Sequence, residues 1–511
     1  MVTSRVGSPA AKVPTRGGTL TLAHSLQLGA LNPHRGANAG QDVATFVYDR
    51  VLNYDANRHQ SVLVVAQSIE NPDPLTYVIK INPNAKFQNV APVPNRPVTA
   101  LDIAMSWQAL AANSAVSGKW FFTDYVDRYD TSNPATLVVK MKKPNAWATA
   151  GAGFGNFLAV VMPKELIDAG QLDKTAVGSG AYQLDEYDPA KLISFKRRAD
   201  SWVFSDRPYL DKVIYRLIKE RESLVTALRN KEVDAVVARD KWEAEQYGAY
   251  GPEMQIDRNI SLPAMLLMRA DGEGPFKDER VRQAVYNALD IAEIIAIVER
   301  GEGTWSPPVP KLFANYCLPD DETKKFFPHD VKKAKELLAA AGWDSKREVA
   351  FKYPYGGSGG RAELLAELIQ KYLAAAGIVT RLVPLERADI WQPQVTQQRD
   401  FDLTVTAALT VGNSPDAWLR MFTTAGIGGG NLARWSDPEV DQLVDRQMAE
   451  FDAEKQKQAV MEAQRLILKK VAPIVNLYTP YVFTGRWGYY HPPPGTGQVT
   501  LASHYAWTEK K

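Results

Sequence analysis

Two stretches of this 511-residue chain finish in the same way. Leu338-Ala-Ala-Ala-Gly342 and Leu373-Ala-Ala-Ala-Gly377 each close an apolar, helix-periodic run with glycine, the residue that enters the left-handed helix-ending conformation at no steric cost. The spacing predicts a helix over Val331–Ala341, a strand over Val349–Tyr355, a helix over Arg361–Ala376 and a strand over Ile378–Leu385. A third apolar strand, Phe401–Ala408, comes after an irregular stretch. Two copies are too few for a solenoid, so they read as two turns of αβ winding. Helix–strand alternation implies a parallel sheet with right-handed crossovers, and such sheets take ligands at the carboxyl ends of their strands. Here those ends are Tyr355–Gly360, Glu386–Trp391 and Leu409–Trp418.

The remainder is patterned differently. Thr19–Ala23 alternates and follows Gly17-Gly18, so it reads as a strand, with a short helical segment at Val43–Val51. Residues 60–82 and 134–142 look like β-ribbon, and between them Thr99 and Asp102 are placed to cap a helix over Leu101–Ala112. Gly178-Ser179-Gly180 reads as a flexible pair of glycines before alternating strands. One helix is expected from Asp278 to Arg300, ended by Gly301. Further on, Trp435-Ser436-Asp437-Pro438-Glu439 signals a helix start with Ser436 as its N-cap, and Ile474–Tyr478 reads as a strand.

At roughly 100–200 residues per domain the length predicts three or four domain-sized units. Sixty Lys+Arg against 58 Asp+Glu leaves +2, with the signs interspersed, which argues against a nucleic-acid partner or a polybasic membrane anchor. No apolar run reaches the roughly 18 residues that crossing a bilayer needs. Cys317 is the only cysteine, so no internal disulfide or thiolate cluster is possible. Residues 1–16 lack an apolar core and read as a flexible tether; a leader, if there was one, is expected to have been removed.

Gly356-Gly357-Ser358-Gly359-Gly360 fits G-x-S-x-G between a strand and a helix, the setting of a nucleophile elbow. That keeps a serine hydrolase using Ser358, with His491 or His504 as base, as an alternative. The plainer reading is a βα loop whose free N–H groups receive a ligand's acceptor. The six histidines are scattered, and there is no phosphate loop or dinucleotide fingerprint, so neither metal nor cofactor is expected. Trp391, Trp418 and Trp435 fall in or beside the strand-end loops, where an indole offers an apolar wall and one donor. Arg387 and Arg434 are placed to pair with a carboxylate.

The order of several segments resembles the solute-binding proteins of the peptide/nickel/opine class that serve ABC importers. They are Gly17-Gly18-Thr19-Leu20, Leu31-Asn32-Pro33-His34, Val177-Gly178-Ser179-Gly180-Ala181-Tyr182, Val281-Arg282-Gln283-Ala284, Ala334-Lys335 with Leu337-Leu338, and Trp435 to Asp441. The resemblance implies an α/β, bilobal, type II periplasmic-binding-protein-like fold that closes by a hinge, with an additional α+β subdomain in the first lobe. By that analogy lobe I combines residues 17–52, 179–265 and 482–511, the subdomain is 53–178, and lobe II is 266–481. It also implies a monomeric receptor, outside the cytoplasmic membrane, that hands a peptide, opine or oligosaccharide to permease subunits and catalyses nothing. Peptide-binding members carry an acidic residue four positions before the proline matching Pro415; here that residue is Val411, and Asp416 either substitutes for it or caps the helix carrying Trp418. The expected ligand contacts are Asn32, His34, Tyr355, Ser358, Arg387, Trp391, Thr410, Asn413, Trp418, Asn431, Arg434 and Trp435.

Overall fold

The computed structural model describes residues 13–36, 38–55, 60–113, 117–202, 207–272, 274–355, 360–407, 414–492 and 505–509. The αβ winding forms as its sequence demands. The helix Val331–Ala341 is capped by the Asp330 carboxylate and stops at Gly342 with φ +67°; the helix Arg361–Ala376 stops at Gly377 with φ +101°. Strand Glu348–Tyr355 lies between strands Val379–Glu386 and Leu403–Ala407 and runs parallel to both. Val349, Phe351 and Tyr353 are buried beneath Leu365, Ile369 and Leu373 of the second helix. Each such side chain contributes about 1.5–3 kcal/mol by leaving water.

Two antiparallel strands extend this sheet, Ala264–Met268 and the 14-residue Ile474–Trp487. The long strand belongs to two bodies. Ile474–Tyr478 pairs with Ala264–Met268, whereas Tyr481–Trp487 pairs with Met254–Ile260 and, over Thr484–Arg486, with Ala235–Val237. The chain therefore crosses between bodies twice, side by side, at Ser261–Pro263 and at Thr479–Tyr481. Ser261 N–H donates to the Pro480 carbonyl at 2.9 Å, but Pro263 and Pro480 have no N–H to give, and Thr479 and Pro480 pair on the other side with Thr304 and Gly303.

The first body is built on Thr19–His24, parallel to Lys212–Leu217, followed by Leu192–Arg197 and Tyr182–Asp188. Asp234 joins it to the long strand's partners: its N–H donates to Thr21 O at 2.7 Å and its carboxylate accepts from Thr21 N–H at 2.6 Å. A four-stranded antiparallel sheet, ordered Ala66–Asp73, Thr76–Ile81, Thr136–Met141 and Val126–Asn133, forms a separate layer covered by the helix Ala100–Ala112. The expected capping box is present: Thr99 and Asp102 satisfy each other's backbone N–H. Arg96 bridges the Asp102 and Glu165 carboxylates at 2.7 Å each.

Three expectations need correction. The helix expected over 278–300 is two helices, Glu279–Ala288 and Ile291–Val298, because Leu289 is extended and Asp290 caps a new start. Ser436 is not the N-cap: Asp437 accepts from the N–H groups of Glu439 and Val440, and the Ser436 hydroxyl pairs with Thr424 at 2.6 Å. Gly178 and Gly180 are there for close approach and not for flexibility. A Cβ on Gly178 would lie 2.1 Å from the Val47 carbonyl oxygen, and one on Gly180 2.6 Å from the same atom. Gly178→Ala should therefore destabilise by about 1–3 kcal/mol. Gly248→Ala, which meets nothing within 4 Å, should leave the melting temperature unchanged. Equal melting temperatures for the two variants would refute this packing account.

Candidate ligand-binding crevice

A cavity of about 340 Å³ lies where the two bodies face each other, walled by Arg239 and Lys241 from one and Glu299, Glu302 and Arg361 from the other, with Tyr481 of the shared strand at its base. Local sequence explains the placement. Arg361 is the first helical residue after the carboxyl end of Glu348–Tyr355, the position the winding argument selects. Lys241 opens the helix Lys241–Gly248, whose N-cap Asp240 accepts from Glu243 N–H.

The charges in this wall are arranged across the gap. Glu302 receives Lys241 Nζ at 2.8 Å and Arg258 Nε at 2.9 Å, and these hold its carboxyl below the usual range, the Lys241 bond most of all. The Arg258 guanidinium also sits 3.3 Å from the Tyr481 ring centroid. Arg361 donates to the Arg239 carbonyl and has Glu299 at 3.5 Å. Burial pushes the Glu299 carboxyl up, and its other oxygen accepts the Tyr478 hydroxyl at 2.9 Å. Arg361 thus carries a guanidinium on the cavity wall with one neutral acceptor and one distant carboxylate.

A second set of contacts spans the opposite side. The Trp147 indole N–H donates to Gln447 Oε1 at 2.8 Å, and Ala146 N–H to the Met448 carbonyl at 2.7 Å. The Arg420 guanidinium pairs with Asp124 and lies 4.6 Å from the Trp120 ring centroid. These contacts join the segment containing Asp124 and Trp147 to the one containing Arg420 and Gln447.

Eleven of the twelve expected contacts divide into three groups; the twelfth, Trp418, is 1% exposed. Ser358, Thr410 and Asn413 lie outside the described residues, as does Val411, and so does the side chain of Arg387. Tyr355 is at the strand end and 57% exposed, free to meet a ligand. Others are engaged internally. His34 is buried with a ring nitrogen 3.0 Å from Leu158 O, and Asn32 accepts from His34 N–H. Trp391 donates to Thr404 Oγ1 at 3.2 Å. Asn431 donates to Thr423 O and Trp435 O and accepts from Trp435 N–H, which locks the turn. Arg434 pairs with Asp271 at 2.8 Å, and Trp435 is packed in the core. Sequence reasoning missed Arg361, Lys241 and Glu302. The signal for Arg361 was its place just past Gly360, in the loop already selected.

Around Asp416 four polar side-chain atoms are buried together: Ser414 Oγ, both Asp416 oxygens and Trp418 Nε1. Burial pushes the Asp416 carboxyl up to about 6, and the nearby Ser414 hydroxyl and Arg420 charge pull it back only partly. The native state holds a proton there that the unfolded chain, at 3.8, has released, so stability falls as pH rises from about 4 through 6. Asp416→Asn should raise stability at pH 7.5 by about 2–3 kcal/mol and leave it unchanged at pH 4. A melting temperature lowered equally at both pH values would contradict this. For the far-side contacts, Trp147→Phe combined with Asp124→Asn should increase the radius of gyration of ligand-free protein in solution scattering. An unchanged radius would show that these bonds do not hold the bodies together.

Comparison with known proteins agrees with this architecture. The sequence profile of the family described as bacterial extracellular solute-binding proteins, family 5, middle region, matches residues 61–430. The chain is 24% identical to heme-binding protein A of Haemophilus influenzae over 82% of this chain and 79% of that one. It is 23% identical to oligopeptide-binding protein AppA of Bacillus subtilis over 80% and 76%. Among solved structures, DppA from Helicobacter pylori with the peptide STSA matches at TM-score 0.80 and 19% identity, covering 97% of this chain and 99% of that one. AgaA from A. tumefaciens R10 with agropinic acid matches at 0.81 and 23%, with the same coverage. The bilobal type II fold follows. Among the described residues no helix is long and apolar enough to cross a membrane. The chain belongs to the bacterial extracellular solute-binding proteins of family 5.

Proposed function

We propose that this protein is the receptor of an ABC importer: it closes two lobes on an organic solute of the peptide or opine class and passes it, unchanged, to the permease subunits. It acts as a monomer outside the cytoplasmic membrane. The observation that carries this is the crevice itself, lined from both bodies and set beside two adjacent, proline-interrupted strand crossings. The division into lobe I (17–52, 179–265, 482–511), subdomain (53–178) and lobe II (266–481) is supported by crossings at Ser261–Pro263 and Thr479–Tyr481. Relatives named for oligopeptides and a structure holding agropinic acid support the ligand class.

Arg361 is the anchor for the solute's carboxylate. Its present acceptors are a peptide carbonyl and a carboxylate at 3.5 Å, and a ligand carboxylate in bidentate contact is the stronger partner. Val411 leaves the family's ammonium-holding position without charge, which favours solutes recognised by their acid group. The test begins with native mass spectrometry of the purified protein for a retained solute, followed by titration with short peptides, agropinic acid and mannopinic acid. Arg361→Gln should weaken binding of the carboxylate solute by about 10–100-fold, the loss of a charged hydrogen bond. Failure of every probe to raise the melting temperature, or unchanged affinity in Arg361→Gln, would contradict the proposal. No labelling by a fluorophosphonate is expected; labelling lost in Ser358→Ala would replace this reading with a hydrolase.

A further inference from the structure

A second and larger cavity, about 880 Å³, is set entirely in the first body. It opens at His24 and Val237, the last residues of the strands Thr19–His24 and Ala235–Val237, and at Asn38 and Arg221, the first residues of two helices. That is the end at which an α/β unit presents its ligand sites. It adjoins the crevice between the bodies. Arg221 and Arg258 line the larger cavity, and their partners Glu243 and Glu302 line the smaller one, at 3.0 and 2.9 Å.

The charges of this wall are spent within it. Besides those two pairs, Arg486 binds Asp257 at 2.6 Å, and His24 Nε2 lies 2.7 Å from Asp42 Oδ2 with its ring stacked on Tyr215 at 4.7 Å. The uncharged lining mixes Ser25, Asn38, Asn259 and Thr484 with large apolar side chains. Leu26, Val237 and Ile256 are 69%, 55% and 37% exposed, and all three line the cavity beside Leu22 and Leu224. Large apolar side chains gathered in one concavity and left open to water mark a place where a partner takes the water's position.

We propose that this cavity is the subsite for an uncharged, apolar limb of the solute, an aromatic or branched aliphatic group, while the acid end of the same molecule reaches Arg361 past the ion pairs that both cavities share. The assignment rests on the receptor reading and narrows it: the preferred solute is an amphipathic acid and not a small, fully polar one. The volume suffices for such a limb, since ligand pockets span roughly 300–1,000 Å³.

The test uses N-phenyl-1-naphthylamine, a neutral aromatic amine that fluoresces once out of water, on intact protein stripped of any retained solute. The wild type should bind it at one site. Val237→Arg, which places a cation in the cavity from a half-exposed position, should weaken binding at least tenfold, and Ile256→Lys on a separate strand should do the same if the first variant folds poorly. Trp242 lines the smaller cavity and not the larger, so Trp242→Ala should bind the probe as the wild type does. No fluorescence from the wild type, or equal binding by the Val237 and Ile256 variants, overturns the subsite. A stripped protein that regains a peptide or opine but never the probe loses this subsite and keeps the receptor function. One that takes the probe but no solute loses the receptor reading, and the assignment with it.

Discussion

The structure depends on one shared strand. Ile474–Trp487 contributes its first half to the sheet of one body and its second half to the sheet of the other, so neither body's hydrogen-bonded ladder is complete without it. Its partners change at Thr479-Pro480, where it leaves Ala264–Met268, pairs with Gly303 and Thr304, and passes to Met254–Ile260, with Pro480 lacking an N–H. The same backbone therefore fastens the bodies together and confines any relative rotation to a few residues. Hinges of this sort absorb large dihedral changes at element ends while the packed bodies move as units.

Closure is a matter of side chains on either flank of that strand. Near the hinge, Glu302 is gripped by Lys241 and Arg258, a partly exposed pairing whose strength salt will reduce. Far from it, Trp147 and Arg420 make directional contacts, the Trp147–Gln447 bond buried and the Arg420–Asp124 pair partly exposed, and directional bonds are more sensitive to geometry than charge alone. A solute contributes the remaining preference through differential contact with the closed state, and without such a difference it would shift nothing.

Much of this was legible in the residues, and the parts that were not share a cause. The αβ winding was readable because helix stops at Gly342 and Gly377 and the apolar runs between them are local signals. The capping box at Thr99 was legible for the same reason. The strand-end rule selected the loop that precedes Arg361 but not the arginine itself, since its partners, Arg239 and Glu299, are 122 and 62 positions away in the chain and only the fold joins them. Trp391, Asn431 and His34 show why the ligand contacts are hard to select, because an indole or amide in a loop has the same appearance in sequence whether it faces a crevice or ties the loop to its own backbone. The glycines at 178 and 180 were read as freedom when their role is proximity to Val47, a long-range contact that composition does not record.

The most direct measurement is the distance between the two bodies. With the buried Cys317 replaced by serine, spin labels at Lys191 in the first body and Lys371 in the second, both well exposed, report that distance by pulsed dipolar spectroscopy. The account predicts two populations in solute-free protein, an open one and a shorter closed one, with bound peptide or opine converting the first into the second. A single distance that no solute alters would contradict it.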